Sequence, residues 1–277
     1  TSRDLNGDGA ITGAELLDWG KDECVLHEVL LTPGSENRYT PGTFRGTYPN
    51  NYWNPGPRGM AVDARGNLWA GTHDSMWYYS INGETGAILR AIDVSTVNHM
   101  AYGAAIDSRG ILWSSGYKDS GEQNLLRLDP SDGSFTKTVV DFHSYGIAPD
   151  RNDHLFVSGH QESVLTRWNL LTGTQDWKIS VGANPRGIAI TDDHDVWVVN
   201  SGANTLTRLS NDGILRAVIP VGPTPTGVAV DANGKVWVCG TGDDYLRRID
   251  PATDRVDLAT RVAGGHYGYS DMTGTIA

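Results

Sequence analysis

From residue 57 onward, apolar and polar positions alternate in short runs, and clusters of Gly, Asp, Asn and Pro separate the runs. Alternation with period two predicts strands rather than helices. One stretch recurs. It reads Pro57-Arg58-Gly59-Met60-Ala61-Val62-Asp63, then Gly66-Asn67-Leu68-Trp69-Ala70-Gly71. Copies begin at Tyr102-Gly103, Tyr145-Gly146, Arg186-Gly187 and Thr226-Gly227, and another opens at His266-Tyr267-Gly268. The glycines at 59, 103, 146, 187, 227 and 268 are 44, 43, 41, 40 and 41 residues apart. A repeat of this length that holds four short strands is a propeller blade.

In the second copy the predicted strands are Gly103 to Ile106, Ile111 to Ser115, Asn124 to Asp129 and Ser134 to Val140, with turns at Asp107-Ser108-Arg109-Gly110 and Asp129-Pro130-Ser131-Asp132-Gly133. Small residues, Ala61, Ala105, Ala148, Ala189 and Ala229, fall in each first strand, where space runs out toward an axis. An arginine recurs in the third strand at Arg127, Arg167, Arg208 and Arg248. The third strand lies away from the axis, so these arginines are expected to span neighbouring blades rather than to ring a ligand.

The fold expected is all-β: a six-bladed β-propeller whose last blade is completed by both termini. Residues 1–21 form an N-terminal unit and 22–277 the propeller, with segments 22–54 beside a C-terminal strand from Gly268 to Ala277. Cys24 to Leu31 and Thr43 to Tyr48 are the candidate N-terminal strands. Closure removes the exposed edges an open ring leaves. Five blades with an N-terminal appendage is the competing count.

The 277 residues carry a net charge of −11, which argues against a nucleic-acid backbone as partner. No apolar run is long enough to span a bilayer. Two cysteines are too few for a disulfide scaffold. Two buried thiols are expected, with a Cys24–Cys239 bridge as the alternative if the ring closes. Thr1 is not an initiator residue, so a trimmed or mature chain is expected, and its location is expected to be extracellular or at the cell surface.

The strongest chemistry lies at the N-terminus. Asp4-Leu5-Asn6-Gly7-Asp8-Gly9-Ala10-Ile11-Thr12-Gly13-Ala14-Glu15 matches the twelve-residue calcium loop at every position. Asp4, Asn6 and Asp8 supply hard side-chain oxygens, Ala10 a carbonyl, Thr12 a direct or water-bridged contact and Glu15 two oxygens. A short helix is predicted from Gly13 to Trp19. The loop resembles an EF-hand and the calcium loops of dockerin-type modules. No second loop is present, so calcium (Ca2+) is expected to staple the N-terminus rather than to switch it.

The residues before the key glycines form another series: Arg58, Tyr102, Tyr145, Arg186, Thr226 and Tyr267. They belong near the mouth of the central channel, with His99, His143 and His266 close by. They either form a pocket for an anionic or sugar-like ligand or plug the channel. His160 with Glu162 and His73 with Asp74 fall at second-strand ends near the same mouth.

The blades resemble NHL-type repeats, and the run Pro-x-Gly-x-Ala-x-Asp…Gly-Asn-Leu-Trp resembles that of the streptogramin B lyase group over residues 57–268. This resemblance implies a magnesium-dependent enzyme that opens a cyclic ester-linked peptide by elimination with a histidine base, for which His266 is the match. It also implies glutamates at second-strand ends in the pattern Trp-Phe-Thr-Glu. Here the strands read Trp69-Ala70-Gly71, Trp113-Ser114-Ser115, Phe156-Val157-Ser158, Trp197-Val198-Val199-Asn200 and Trp237-Val238-Cys239, without glutamate. The function expected is therefore a calcium-binding propeller that serves as a binding or structural module, with self-association or a protein partner through the termini. A metal-dependent lyase with its site at the axial face is the alternative.

Overall fold

A computed structural model describes residues 3–18, 21, 25–32, 35–43, 56–262, 264 and 266–268. Among them the chain is all-β apart from two three-residue 3-10 turns, Gly13–Glu15 and Ser95–Val97. A hairpin of β1 (Glu28–Thr32) and β2 (Ser35–Tyr39) comes first.

Five four-stranded antiparallel sheets follow, each a meander in chain order. The first is β3 (Pro57–Val62), β4 (Leu68–Thr72), β5 (Trp77–Ile81) and β6 (Ile88–Asp93). The second is β7 (Gly103–Ile106), β8 (Leu112–Gly116), β9 (Gln123–Leu128) and β10 (Phe135–Val140). The third is β11 (Ser144–Pro149), β12 (His154–Gly159), β13 (Val164–Asn169) and β14 (Thr174–Ser180). The fourth is β15 (Pro185–Ile190), β16 (Val196–Asn200), β17 (Thr205–Leu209) and β18 (Leu215–Pro220). The fifth is β19 (Pro225–Val230), β20 (Val236–Gly240), β21 (Tyr245–Asp250) and β22 (Arg255–Arg261).

The innermost strands touch in the order β3, β7, β11, β15, β19, and among the described residues no comparable contact joins β19 back to β3. Four cores lie between consecutive four-stranded sheets, and a fifth lies between β1 and the first of them. Trp69 and Tyr78 meet Leu112 and Leu126; Trp113 and Leu125 meet Leu155 and Val157. Phe156 and Leu165 meet Val196 and Val198; Trp197 and Leu206 meet Val236 and Val238. Period-two alternation produces this, because successive residues such as Leu112 and Trp113 serve opposite neighbours.

Two side-chain devices lock the repeats. Asp107 accepts the N–H groups of Arg109 (2.9 Å) and Ile111 (3.0 Å) on one oxygen and Trp113 Nε1 (2.9 Å) on the other. Asp63 with Trp69 and Asp231 with Trp237 repeat this arrangement. The Asp…Trp spacing in the sequence is thus a turn staple. Second, Ser158 Oγ accepts the Gly146 N–H (2.8 Å) and donates to the Arg186 carbonyl (2.7 Å) of the next inner strand. Ser115 links Gly103 and Tyr145 in the same way.

Of the third-strand arginines, Arg167 and Arg208 span blades, whereas Arg127 pairs with Asp129 and Arg248 with Asp257 inside their own sheets. Arg167 donates to the Asn211 carbonyl (2.9 Å) and Arg208 to the Pro251 carbonyl (2.5 Å), each in the following sheet.

Three expectations need correction. The helix from Gly13 to Trp19 is only the turn Gly13–Glu15, because Leu16 turns to extended backbone (ψ 124°). Leu16 and Leu17 are exposed, so no buried apolar face supports a longer helix. The strand from Cys24 to Leu31 is confined to β1, and its partner is β2, which the sequence reading left unassigned. Gly268 lies outside any strand. The remaining candidates, 44–48 and 269–277, lie outside the described residues, as does Cys24; Cys239 is buried in the fifth sheet.

Candidate functional site

The N-terminal loop winds on its own side chains. Asp4 accepts the N–H groups of Gly7 (2.7 Å) and Gly9 (2.9 Å), and Asn6 and Asp8 accept those of Asp8 (2.9 Å) and Ala10 (2.8 Å). Glu15 reaches back to the N–H groups of Leu5 (2.8 Å), Asn6 (3.1 Å) and Thr12 (3.2 Å). Gly7, Gly9 and Gly13 take positive φ of 75°, 83° and 54°, a conformation side chains disfavour. The Gly9 N–H holds the Asp4 carboxyl below its ordinary range, and the Thr12 and Leu5 N–H groups do the same for Glu15. No three His, Cys, Asp or Glu side chains converge as a metal cluster among the described residues. The donors are all hard oxygens, the set calcium takes.

A second cluster forms where the innermost strands begin. In sheets one, three, four and five a register shift falls beside the key glycine, between Pro57 and Gly59, Ser144 and Ile147, Pro185 and Ile188, and Pro225 and Gly227. Such bulges re-aim side chains. Tyr102 donates its hydroxyl hydrogen to Tyr145 Oη (3.0 Å), and the Tyr145 and Tyr267 hydroxyls share a short hydrogen bond. Arg186 Nη1 donates to both Tyr145 Oη (2.7 Å) and Tyr267 Oη (2.6 Å), and its guanidinium lies over both rings. Arg58 lies over the Tyr102 ring, 5.4 Å from its centroid. Tyr267, from the sixth copy of the motif, therefore meets side chains of the third and fourth sheets.

Tyr102 and Tyr145 are buried, 6% and 3% exposed, so they fill the space at the axis rather than line an opening. Burial pushes the Tyr102 hydroxyl up to about 12 and raises that of Tyr145 further, against the pull of Arg186. Both are neutral phenols at physiological pH.

His143 Nδ1 meets Glu162 Oε1 at 2.6 Å, and the His143 N–H donates to Glu162 Oε2 (2.8 Å). Burial works to raise the Glu162 carboxyl, but the two His143 contacts bring it below the ordinary range. His160 stacks on Tyr145 at 5.0 Å, and neither ring nitrogen has a hydrogen-bond partner among the described residues. Burial, then Arg186, lowers it to about 4, so it is neutral at pH 7. His266 docks on the fifth sheet, its N–H on the Gly240 carbonyl (2.9 Å), while its Nε2 is buried without a partner among the described residues.

The sequence reading placed Arg58, Tyr102, His143, Tyr145, Arg186, His266 and Tyr267 at this face. His99 does not belong there. It is buried against Asn124 Oδ1 (2.7 Å) and Ser114 Oγ (2.8 Å), and burial lowers it to about 4. The pairing of His160 with Glu162 is also corrected, since Glu162 serves His143. Tyr117 was overlooked; it packs on Tyr102 (5.1 Å) and Tyr145 (5.6 Å). A signal for it existed: His73, Tyr117 and His160 each follow the last residue of a second strand.

No family model matches the chain, and no curated protein matches it by sequence. Solved structures match by shape. A streptogramin B lyase is 20% identical with a TM-score of 0.67, over 76% of this chain and 70% of that one. The virginiamycin B lyase of Staphylococcus aureus is 16% identical with a TM-score of 0.66, over 76% and 71%. A functionally unknown protein from Desulfotomaculum acetoxidans is 13% identical with a TM-score of 0.64, over 76% and 70%. At such identities the likeness shows the fold, a β-propeller with the architecture of these lyases.

Proposed function

We propose that this chain is a calcium-stapled, six-bladed propeller that serves as a non-catalytic binding or structural module outside the cell or at its surface. The observation that carries this reading is the axial plug. Arg186 binds the hydroxyls of Tyr145 and Tyr267, and Tyr102 completes the chain of hydroxyls. Groups that satisfy one another at the axis leave the surrounding rim, where Arg58 and His143 stand, as the surface for an anionic or sugar-like ligand.

A steric observation also favours it. The residue closing the second strand is Gly116, Gly159 or Gly240 in three sheets. A Cβ there would stand 2.7 Å from Asn124 Oδ1, 2.5 Å from Val164 Cγ2 and 2.6 Å from the Thr224 carbonyl, respectively. These positions do not admit the glutamates of the lyase pattern. A second reading, a lyase at the same face, draws on the two named neighbours and on the His143–Glu162 contact. One assay separates the two. A catalytically inactive form of the S. aureus enzyme has been solved with quinupristin, which serves as the probe. Chromatography of quinupristin incubated with this protein and magnesium should show the intact ring. A ring-opened isomer that disappears with His143→Ala or His266→Ala would establish the lyase instead.

Closure by the termini is supported from both ends. Leu31 of β1 packs on Ala70, Tyr79 and Ile81 of the first sheet, while His266 and Tyr267 leave the fifth sheet at the axis. Such a composite blade offers a surface for self-association.

Calcium would be held by Asp4, Asn6, Asp8, Glu15 and the Ala10 carbonyl, where it supplies charge neutralisation. Extracellular modules of this type bind at roughly 10⁻⁴–10⁻³ M. Chelation should therefore speed proteolytic nicking within residues 1–21, and Asp8→Ala should make nicking insensitive to calcium. Equal nicking with and without calcium contradicts the staple. Acid acts in the same direction. The depressed Asp4 and Glu15 carboxyls contribute order above their unfolded values, 3.8 and 4.5, and that order is lost as pH falls through the lower folded values.

A further inference from the structure

At the other end of the strands from the tyrosine cluster, the first sheet breaks the arginine pattern. Arg127 stands in register with Trp113, Arg167 with Phe156, Arg208 with Trp197 and Arg248 with Trp237. Trp69 instead faces Ser80. Opposite Ser80 on β6 is Arg90, which donates to the carbonyls of Pro130 (3.1 Å) and Ser131 (3.5 Å) in the second sheet. Arg208 makes the equivalent contact to Pro251. The bridge between blades is thus kept, but its arginine has moved one strand outward. The space a third-strand guanidinium fills elsewhere is left open, as a groove of about 630 Å³ between the first and second sheets.

The charge of this groove differs from that at the other blade interfaces. Arg208 is paired with Asp193, Asp195 and Asp254, Arg167 with Asp176 and Asp212, and Arg248 with Asp257. Arg90 meets carbonyl oxygens, and Arg65, exposed on the groove wall, forms no ion pair among the described residues. The lining also holds two carboxylates, each hydrogen-bonded within its own turn, and Asp129 faces Arg127 at 4.0 Å. Asp63 accepts from Arg65 N, Asn67 and Trp69 Nε1, and Asp129 accepts from Ser131 N and Oγ. Arg109, also on the wall, is paired with Asp107 and Asp153. The lining itself carries three guanidiniums, Arg65, Arg90 and Arg109, against two carboxylates, Asp63 and Asp129, in a chain of net charge −11.

We propose that this groove binds an acidic sugar, a pyranose that carries carboxylate or sulfate. Arg65 and Arg90 supply donors for the anionic group. Exposed Leu89 and the Pro130 ring offer apolar surface to the C–H face of the sugar, and the Asn67 and Ser131 side chains lie within the same lining for its hydroxyls.

The test is titration calorimetry of the whole chain at low ionic strength. The probes are an oligogalacturonate, a sulfated disaccharide, the neutral parent sugars and sodium sulfate. At least one acidic sugar should bind on the order of tenfold tighter than its neutral parent, and Arg65→Gln should weaken it by a similar factor. Ser80→Arg, which restores the residue type of the other four sheets, should abolish binding while the thermal melt shows the fold intact. Arg65 is exposed, so Arg65→Gln decides the matter even if Ser80→Arg does not fold. Three results overturn the proposal: equal affinity for neutral and acidic sugars, undiminished binding in the folded variants, or sodium sulfate binding as tightly as the sugars, which is an adventitious ion only. None of these outcomes depends on the axial face or the calcium loop.

Discussion

Arg208→Ala lowers the stability of this protein by about 3 kcal/mol, within the range for breaking a buried ion pair from one side. The guanidinium is 11% exposed, and each of its nitrogens is engaged. Nε meets Asp195 (2.7 Å), Nη2 meets Asp193 (2.8 Å), and Nη1 meets Asp254 (2.8 Å) and the Pro251 carbonyl (2.5 Å). It also stacks on Trp197, 4.8 Å from the ring centroid. Removal leaves Asp195, itself 6% exposed, with its charge opposed only by Arg216 at 3.3 Å, and it uncovers the indole. Asp193 and Asp254 are more exposed, so solvent screens their share of the loss. For a domain of this size the melting temperature should fall by roughly 6–10 °C. Arg208→Lys should recover little, because an ammonium cannot present the same fork or stack as a plane. Arg261→Ala is the control: that arginine is exposed and its ion pair with Asp244 is worth about 0–1 kcal/mol. Equal losses for the two alanine variants in urea denaturation would falsify the assignment of Arg208 as an interblade clamp.

Gly146→Ala is expected to cost about 3 kcal/mol or more, at the upper end for overpacking. A Cβ on Gly146 would stand 2.0 Å from the Arg186 carbonyl oxygen and 3.0 Å from Ser158 Oγ. The obstacle is backbone, so β11 and β15 must separate and the serine bridge between them must break. The loss should reach the axis, since Tyr145 and Arg186 neighbour the two affected positions, and the near-UV circular dichroism of the tyrosines should change with it. Gly173→Ala is the comparison. Gly173 has φ +71° with nothing within 4 Å, so its variant meets only backbone strain of about 1–2 kcal/mol. A Gly146→Ala protein as stable as the Gly173→Ala protein, with unchanged tyrosine signals, removes the steric explanation of the repeat glycine.

The two variants show how the repeat was legible before its geometry was known. The glycine recurs because the next inner strand passes too close for a side chain, at 2.0 Å beside Gly146 and 2.9 Å beside Gly103. The aspartate recurs because one carboxylate closes a turn and holds the indole of a tryptophan six residues on. The third-strand arginine at Arg167 and Arg208 reaches the turn of the next blade. Each requirement returns in several blades, so each leaves a periodic mark. The N-terminal hairpin has no such repetition. The pairing of Glu28 to Thr32 with Ser35 to Tyr39 leaves no periodic mark, and the helix expected from Gly13 to Trp19 is only the turn Gly13–Glu15.

The sequence by itself determined the period of the repeat, the strands within the five sheets described, and where their turns fall. These follow from local periodicity and from constraints that each blade must satisfy with its neighbour. Only the tertiary structure decided what the gathered side chains do together. It set Tyr102, Tyr145, Arg186 and Tyr267 into one self-satisfied plug, gave Glu162 to His143 rather than to His160, and opened a groove where Ser80 replaces an arginine. Those outcomes depend on distances between residues far apart in the chain, such as the 122 positions that separate Tyr145 from Tyr267. A period in the sequence fixes where a side chain recurs, but which neighbour takes its hydrogen bond is set by the approach of another strand.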